Sequence, residues 1–151
     1  MQTSRRSYPP PVSGPSVATL AAIVLAVAAF WATLSGRSAQ VAAARDSFAD
    51  VPAALLLIED RGCPYCALWD REVRQGYINS PEGHFAPLIR RFRGSPDVAF
   101  LPNVIYSPTF IVLARGREVG RIVGYPGPDF FWAEIAPLLA RAGYVSTENP
   151  T

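Results

Sequence analysis

The chain has 151 residues, room for one domain of ordinary size and little more. Its basic residues are all arginine and are unevenly placed: Arg5, Arg6, Arg37 and Arg45 precede Asp46 with no acid among them, while from Asp46 onward acids outnumber arginines by two. The C-terminal part is therefore mildly acidic, which excludes the basic excess of a nucleic-acid footprint, and two cysteines are too few for a disulfide-stapled secreted scaffold.

Residues 1–14 are polar and proline-rich and are expected to be a disordered cytoplasmic N-terminus. Residues 15–36 hold the run Val17 to Leu34, apolar except for Thr19 and Thr33. It is longer than the apolar core of a common secretory signal and meets the lower bound for crossing a bilayer as a helix. Arg5 and Arg6 would hold the near side in the cytoplasm, so the chain beyond Ser35 faces the periplasm. Ala42-Ala43-Ala44 supplies the small residues of a cleavage site, so a cleaved signal is the alternative to an anchor. Residues 37–50 read as a linker or short pre-domain helix, 51–145 as the folded domain, and 146–151 as a disordered tail.

Within the domain, Ala54 to Ile58 is a continuous apolar run that suits a strand buried on both faces. Cys63-Pro64-Tyr65-Cys66 comes next and opens a helix to about Arg74. Pro64 stands at the first helical position, Leu68, Trp69 and Val73 lie on one face, and Gly76 is the expected stop. Ser80 and Pro81 signal a second helix. Phe85, Leu88, Ile89 and Phe92 carry it onward at i, i+3, i+4 and i+7, although Pro87 argues for a late regular start. Gly94-Ser95-Pro96 breaks the pattern. Val98 to Leu101 reads as a strand, and Thr109 to Ala114 as another. Glu118 to Val123 is its hairpin partner across Arg115-Gly116-Arg117. A turn over Gly124 to Pro128 leads into a closing helix, Asp129 to Ala142, which Pro137 should kink. This order predicts an α/β fold with a central mixed sheet and flanking helices. Only seven residues separate Leu101 from Thr109, too few for a helix, so the 81–93 helix is expected to cover part of that face.

The chemistry points to the cysteines. Three positions apart, they close too small a loop to brace a fold, whereas C-x-x-C at a helix start after a buried strand is a redox context. The attacking species is a thiolate. A sulfur at the first turn meets unpaired N–H groups and the positive end of the helix dipole, so Cys63 is the expected nucleophile. Cys66, one turn later on the same face, is the resolving thiol. Structural zinc needs four ligands, and with His84 as the sole histidine no metal is expected. An inert structural pair is the other competing reading. Glu59, at the strand end, is a candidate proton relay to Cys66, with a solvated loop charge as the plain alternative. Tyr65 either packs against clients or covers the helix start. Trp69, Phe130, Phe131 and Trp132 are expected to be core and helix-packing residues and not a binding site, and His84 a surface helix residue.

The combination of Glu59, Gly62-Cys63-Pro64-Tyr65-Cys66, Ser80-Pro81-Glu82-Gly83, Ser107-Pro108-Thr109-Phe110 and Gly124-Tyr125-Pro126-Gly127-Pro128-Asp129-Phe130-Phe131-Trp132 resembles the thioredoxin superfamily over roughly residues 50–143, and within it the SoxS-type periplasmic proteins associated with bacterial sulfur oxidation. Cys63-Pro64-Tyr65-Cys66 is the glutaredoxin form of the motif, without a clear glutathione-binding signature. The resemblance implies a thioredoxin-like fold and a cis bond between Ser107 and Pro108, which would leave the Ser107 backbone free to pair with an extended client. It implies an exported thiol-disulfide oxidoreductase that needs no cofactor, with client protein disulfides and a membrane thiol-electron donor as partners. Leu57 stands where thioredoxins carry a buried aspartate, so that relay is missing. A disulfide oxidase or isomerase, or a non-catalytic binding module on the same fold, are the alternatives.

Overall fold

The computed structural model of the chain describes residues 16–146. The expected disordered stretch at 1–14, with Arg5 and Arg6, lies outside the described residues, as does all but the first residue of the expected tail. The described residues fall into two compact units, divided between Arg37 and Ser38. The first contains most of helix α1 (Val17–Asp46), whose apolar stretch is long enough to cross a membrane and has no buried residue. At 1.5 Å per residue, Val17 to Leu34 spans about 27 Å, close to the thickness of a bilayer's hydrocarbon core. The stretch expected to be a linker is helical as far as Asp46.

The second unit is a four-stranded sheet in the order β2-β1-β3-β4, formed by β1 (Ala53–Glu59), β2 (Leu88–Phe92), β3 (Thr109–Ala114) and β4 (Arg117–Val123). β2 runs parallel to β1, and the other neighbours are antiparallel. Ala53 to Ile58 are all buried, as a run without polar alternation requires of a central strand. Side chains alternate between the two faces. Leu55 and Leu57 of β1, with Phe110 and Val112 of β3, pack under helices on one side. Leu56, Ile58, Ile111 and Leu113 face the other side.

The first face is covered by α2 (Pro64–Trp69), which continues through a π-helical turn (Asp70–Arg74) into α3 (Gln75–Ile78), and by α5 (Pro128–Arg141). Gly76 does not end the helix, because Tyr77 one residue later is fully buried against Phe131 and holds the last turn down. Pro137 lies inside α5. The other face carries no helix from the expected second-helix region. Phe48, Val98 and Leu101 close it, with Phe100 and Val104 packed alongside.

Two expectations fail in this region. Residues 88–92 form an edge strand and not a helix, with Leu55 opposite Leu88 and Leu57 opposite Arg90. Residues 98–101 belong to a 3₁₀ turn (Pro96–Val98) and the bends after it, not to a strand. The second helix is only α4 (Pro81–Phe85). Its start is as predicted: the Ser80 hydroxyl accepts from the Gly83 N–H at 3.1 Å and donates to the Tyr77 carbonyl at 2.8 Å. Gly83 is there for space. A Cβ on it would sit 1.9 Å from the Tyr77 carbonyl oxygen, a backbone atom that cannot step aside. Gly83→Ala is therefore expected to cost roughly 1–3 kcal/mol, the usual range for an overpacked site. Thermal unfolding of the variant checks this, and an unchanged midpoint would mean that the turn relaxes freely.

Candidate active site

Strand β1 ends at Glu59, and the chain must reverse within four residues to start α2. Gly62 makes this possible with φ +72°, a left-handed conformation that side chains disfavour. The Cys63 N–H closes the turn on the Asp60 carbonyl at 3.3 Å. Cys63 then occupies the N-cap and Pro64 the first turn, where a missing N–H costs nothing. The two sulfurs are joined as a disulfide, with Cα atoms 5.3 Å apart. Their environments differ. Cys63 is partly exposed and its Sγ accepts from the Cys66 N–H at 3.1 Å, while Cys66 is 3 % exposed.

The proline loop closes over the buried sulfur. The Ser107–Pro108 bond is cis, as expected from the sequence. Ser107 Oγ lies 3.3 Å from Cys66 Sγ and accepts from the Asp60 N–H at 2.8 Å. The Pro108 carbonyl accepts from Gly124 at 2.8 Å, and the Thr109 hydroxyl donates to the Tyr106 carbonyl at 2.6 Å. The loop is thus tied on both sides of the cis bond.

Two unlike surfaces flank the disulfide. On one side an open cleft of about 580 Å³ is lined by Tyr65, Tyr106, Ser107, Val123, Pro126 and Phe130. Tyr65 is 58 % exposed and Phe130 46 %. The expectation that Phe130 belongs to the core is therefore corrected. Adjacent positions on a helix point about 100° apart, so Phe131 takes the core and Phe130 the surface. Trp69 and Phe131 are buried as expected, and Trp132 is partly buried against Phe131 and Tyr77.

On the other side, Cys63 and Cys66 share a cleft with Glu59, Asp70 and Arg90. The Arg90 guanidinium takes both Glu59 oxygens, at 3.0 and 2.7 Å, and reaches both Asp70 oxygens at 2.9 Å. The hydrogen bond to Glu59, against the opposing effect of burial and with help from Asp70, raises the Arg90 pKa above its ordinary value. Glu59 is thus brought to the sulfur pair, but with both oxygens engaged. Asp60 is held likewise by Arg93, at 3.0 and 2.6 Å, and Arg61 stacks over the Phe92 ring at 4.8 Å. Sequence reasoning missed Arg90 and Asp70. No local pattern marks them, since only the parallel pairing of β2 with β1 carries Arg90 to the active-site end of the sheet.

No protein-family model matches the chain, and no curated protein does. Among solved structures it is similar to the periplasmic thioredoxin SoxS from Paracoccus pantotrophus in its reduced form. The identity is 40% and the TM-score 0.54, over 60% of this chain and 98% of that one. A structure of the thiol resolving mechanism in yeast mitochondrial 1-Cys peroxiredoxin via glutathione/thioredoxin systems shares the fold, with 18% identity and TM-score 0.50 over 62% of this chain and 85% of that one. With a cysteine pair at C-x-x-C spacing on the helix start, a cis-proline facing it and that degree of identity over a relative's full domain, this chain belongs to the thioredoxin superfamily and is a thiol-disulfide oxidoreductase.

Proposed function

We propose that the protein is a protein-disulfide reductase of the cell envelope, held on the periplasmic side of the inner membrane by α1. Cys63 is the nucleophile and Cys66 the resolving thiol. The Cys63 thiolate attacks one sulfur of a client disulfide and expels the other as a thiolate, which takes up a proton. The Cys66 thiolate then attacks Cys63 Sγ, the Cys63–Cys66 disulfide forms, and the second client sulfur leaves. Two electrons pass from the dithiol to the client. A membrane thiol carrier returns the pair to its reduced form.

The observation that carries this reading is the unequal burial of the two sulfurs. An attacking sulfur must be reachable, and Cys63 is partly exposed at the N-cap. A resolving sulfur needs only to reach Cys63, and Cys66 is buried one turn on. The apolar cleft beside Tyr65 suits an extended client segment lying along the proline loop, its backbone pairing with that of Ser107. The periplasm is supported by the apolar α1 and by the similarity to a periplasmic thioredoxin. A place in sulfur oxidation, where such a reductant would keep a partner's cysteine usable, rests on the resemblance to SoxS-type proteins.

Cys66→Ser leaves an attacking sulfur with no internal partner. Expressed in its own cell envelope, this variant is expected to accumulate disulfide-linked adducts on Cys63. They should disappear with dithiothreitol and be absent from the variant lacking both sulfurs. An empty trap would remove the reductase reading. A double Cys63→Ala, Cys66→Ala variant that keeps full partner function would establish a docking module instead.

A further inference from the structure

We propose that the Ser107 hydroxyl is the hydrogen-bond donor that stabilises the anion of Cys66, so that the resolving thiol is activated by a neutral hydroxyl and not by a carboxylate. The proposal rests on the dithiol reading above. A serine hydroxyl has one hydrogen and two lone pairs. The Asp60 N–H can only donate, so it takes a lone pair of Ser107 Oγ and leaves the hydrogen free. In the disulfide, Cys66 Sγ has no hydrogen to give. The 3.3 Å contact must therefore be O–H···S, donated by Ser107. Such a bond is weak to a neutral sulfur and roughly twice as strong to a charged one. It is thus worth most when Cys66 is the thiolate that closes on Cys63.

The surroundings leave little else for that task. A buried sulfur has lost the water that would solvate its anion, and Cys66 is buried. Leu57, on the strand beneath, is apolar and fully buried. The charged groups nearby are already committed. From the end of β1, Glu59 is held by Arg90 and Asp60 by Arg93; from the π-helical turn, Asp70 is held by Arg90; and Arg61 lies over Phe92. Among the described side chains, Ser107 alone places a polar atom within hydrogen-bond distance of Cys66 Sγ. The loop holds it there, since Asp60 and Gly124 anchor it on either side of the cis bond.

The test separates two steps in one trace. The full chain, reduced and in detergent, is mixed with dithiobis(nitrobenzoate), which releases one coloured thiolate when Cys63 attacks and a second when Cys66 closes the disulfide. Ser107→Thr keeps the hydroxyl, and Ser107→Val has the same shape without it. Losing one charge-assisted bond leaves about tenfold less thiolate at a given pH. The thiolate that remains is about threefold more nucleophilic. Relative to the first phase, the second phase of the valine variant is therefore expected to be about threefold slower near neutral pH. It should become about threefold faster once the pH is high enough for the rate to level off. The threonine variant should match the unaltered chain. Identical second-phase profiles for valine and threonine would overturn the proposal, because a merely structural serine produces no such crossing. An unaltered chain with no first phase would sink the dithiol reading, and this proposal with it.

Discussion

Replacing Cys63 by serine is expected to return protein-disulfide reduction to the uncatalysed rate. Serine cannot form the mixed disulfide, because thiol–disulfide exchange needs a sulfur nucleophile. Cys66 is no substitute, because at 3 % exposure a client disulfide cannot approach it. Cys66→Ser should differ in kind. It keeps the exposed sulfur and should perform one stoichiometric attack per molecule without turnover. Dithiothreitol-driven reduction of insulin, monitored by turbidity, measures turnover, and mass spectrometry of the quenched mixture measures the single attack. A Cys63→Ser chain that still forms client adducts through Cys66 would reverse the assignment of the two sulfurs.

Phe131→Ala is expected to be the most damaging change outside the motif, at about 3–5 kcal/mol. Phe131 is 1 % exposed and stands at the centre of the aromatic cluster. Its ring meets Trp69 at 5.6 Å, Tyr77 at 6.1 Å, Phe110 at 5.1 Å and Trp132 at 5.6 Å. It thereby joins α5 to both the active-site helix and the sheet, so a cavity there loosens the platform that carries the cysteines. The neighbouring Phe130→Ala removes the same side chain from a surface position, where substitutions usually stay within about 0.5 kcal/mol. Thermal unfolding of the full chain in detergent, monitored by near-ultraviolet circular dichroism, should show a drop of well over 10 °C for the first. The second should melt almost as the unaltered chain does. Equal effects of the two would contradict the burial difference between these adjacent rings.

The contrast at Phe130 and Phe131 also marks how far the sequence can be read. Two adjacent aromatics in a helical pattern are both expected inside, yet a helix can direct only one of them at the core. Which one depends on where the sheet lies. Elements with a strong local signature are legible. Ala54 to Ile58 suits a strand buried on both faces, and the structure extends it by one residue at each end. Thr109 to Ala114 is a strand with the expected bounds, and its partner across Arg115-Gly116-Arg117 differs by one residue. Ser80 caps a helix, and Pro64 opens one, because their side-chain and ring chemistry acts within a single turn.

The reading fails where the decision is not local. Phe85, Leu88, Ile89 and Phe92 fit a helical period, but Pro87 disfavours helical backbone at the residue before it, and Ala86 leaves the helical region with φ −123° and ψ 83°, so the helix ends there. Beyond that point the free edge of β1 offers a ladder of backbone partners, and Leu88 to Phe92 takes it. The same choice creates the Glu59–Arg90–Asp70 cluster, which no spacing announces because its members come from three separate elements. By itself, the sequence determined the reactive pair, the apolar helix before the domain, the central strand and the hairpin, since each is written in residues within a turn or a strand of one another. Only the tertiary structure decided the edge strand, the exposed aromatic of the cleft and the hydroxyl that meets Cys66. Those depend on contacts between residues far apart along the chain, as Ser107 is 41 positions from Cys66 and Arg90 is 31 from Glu59.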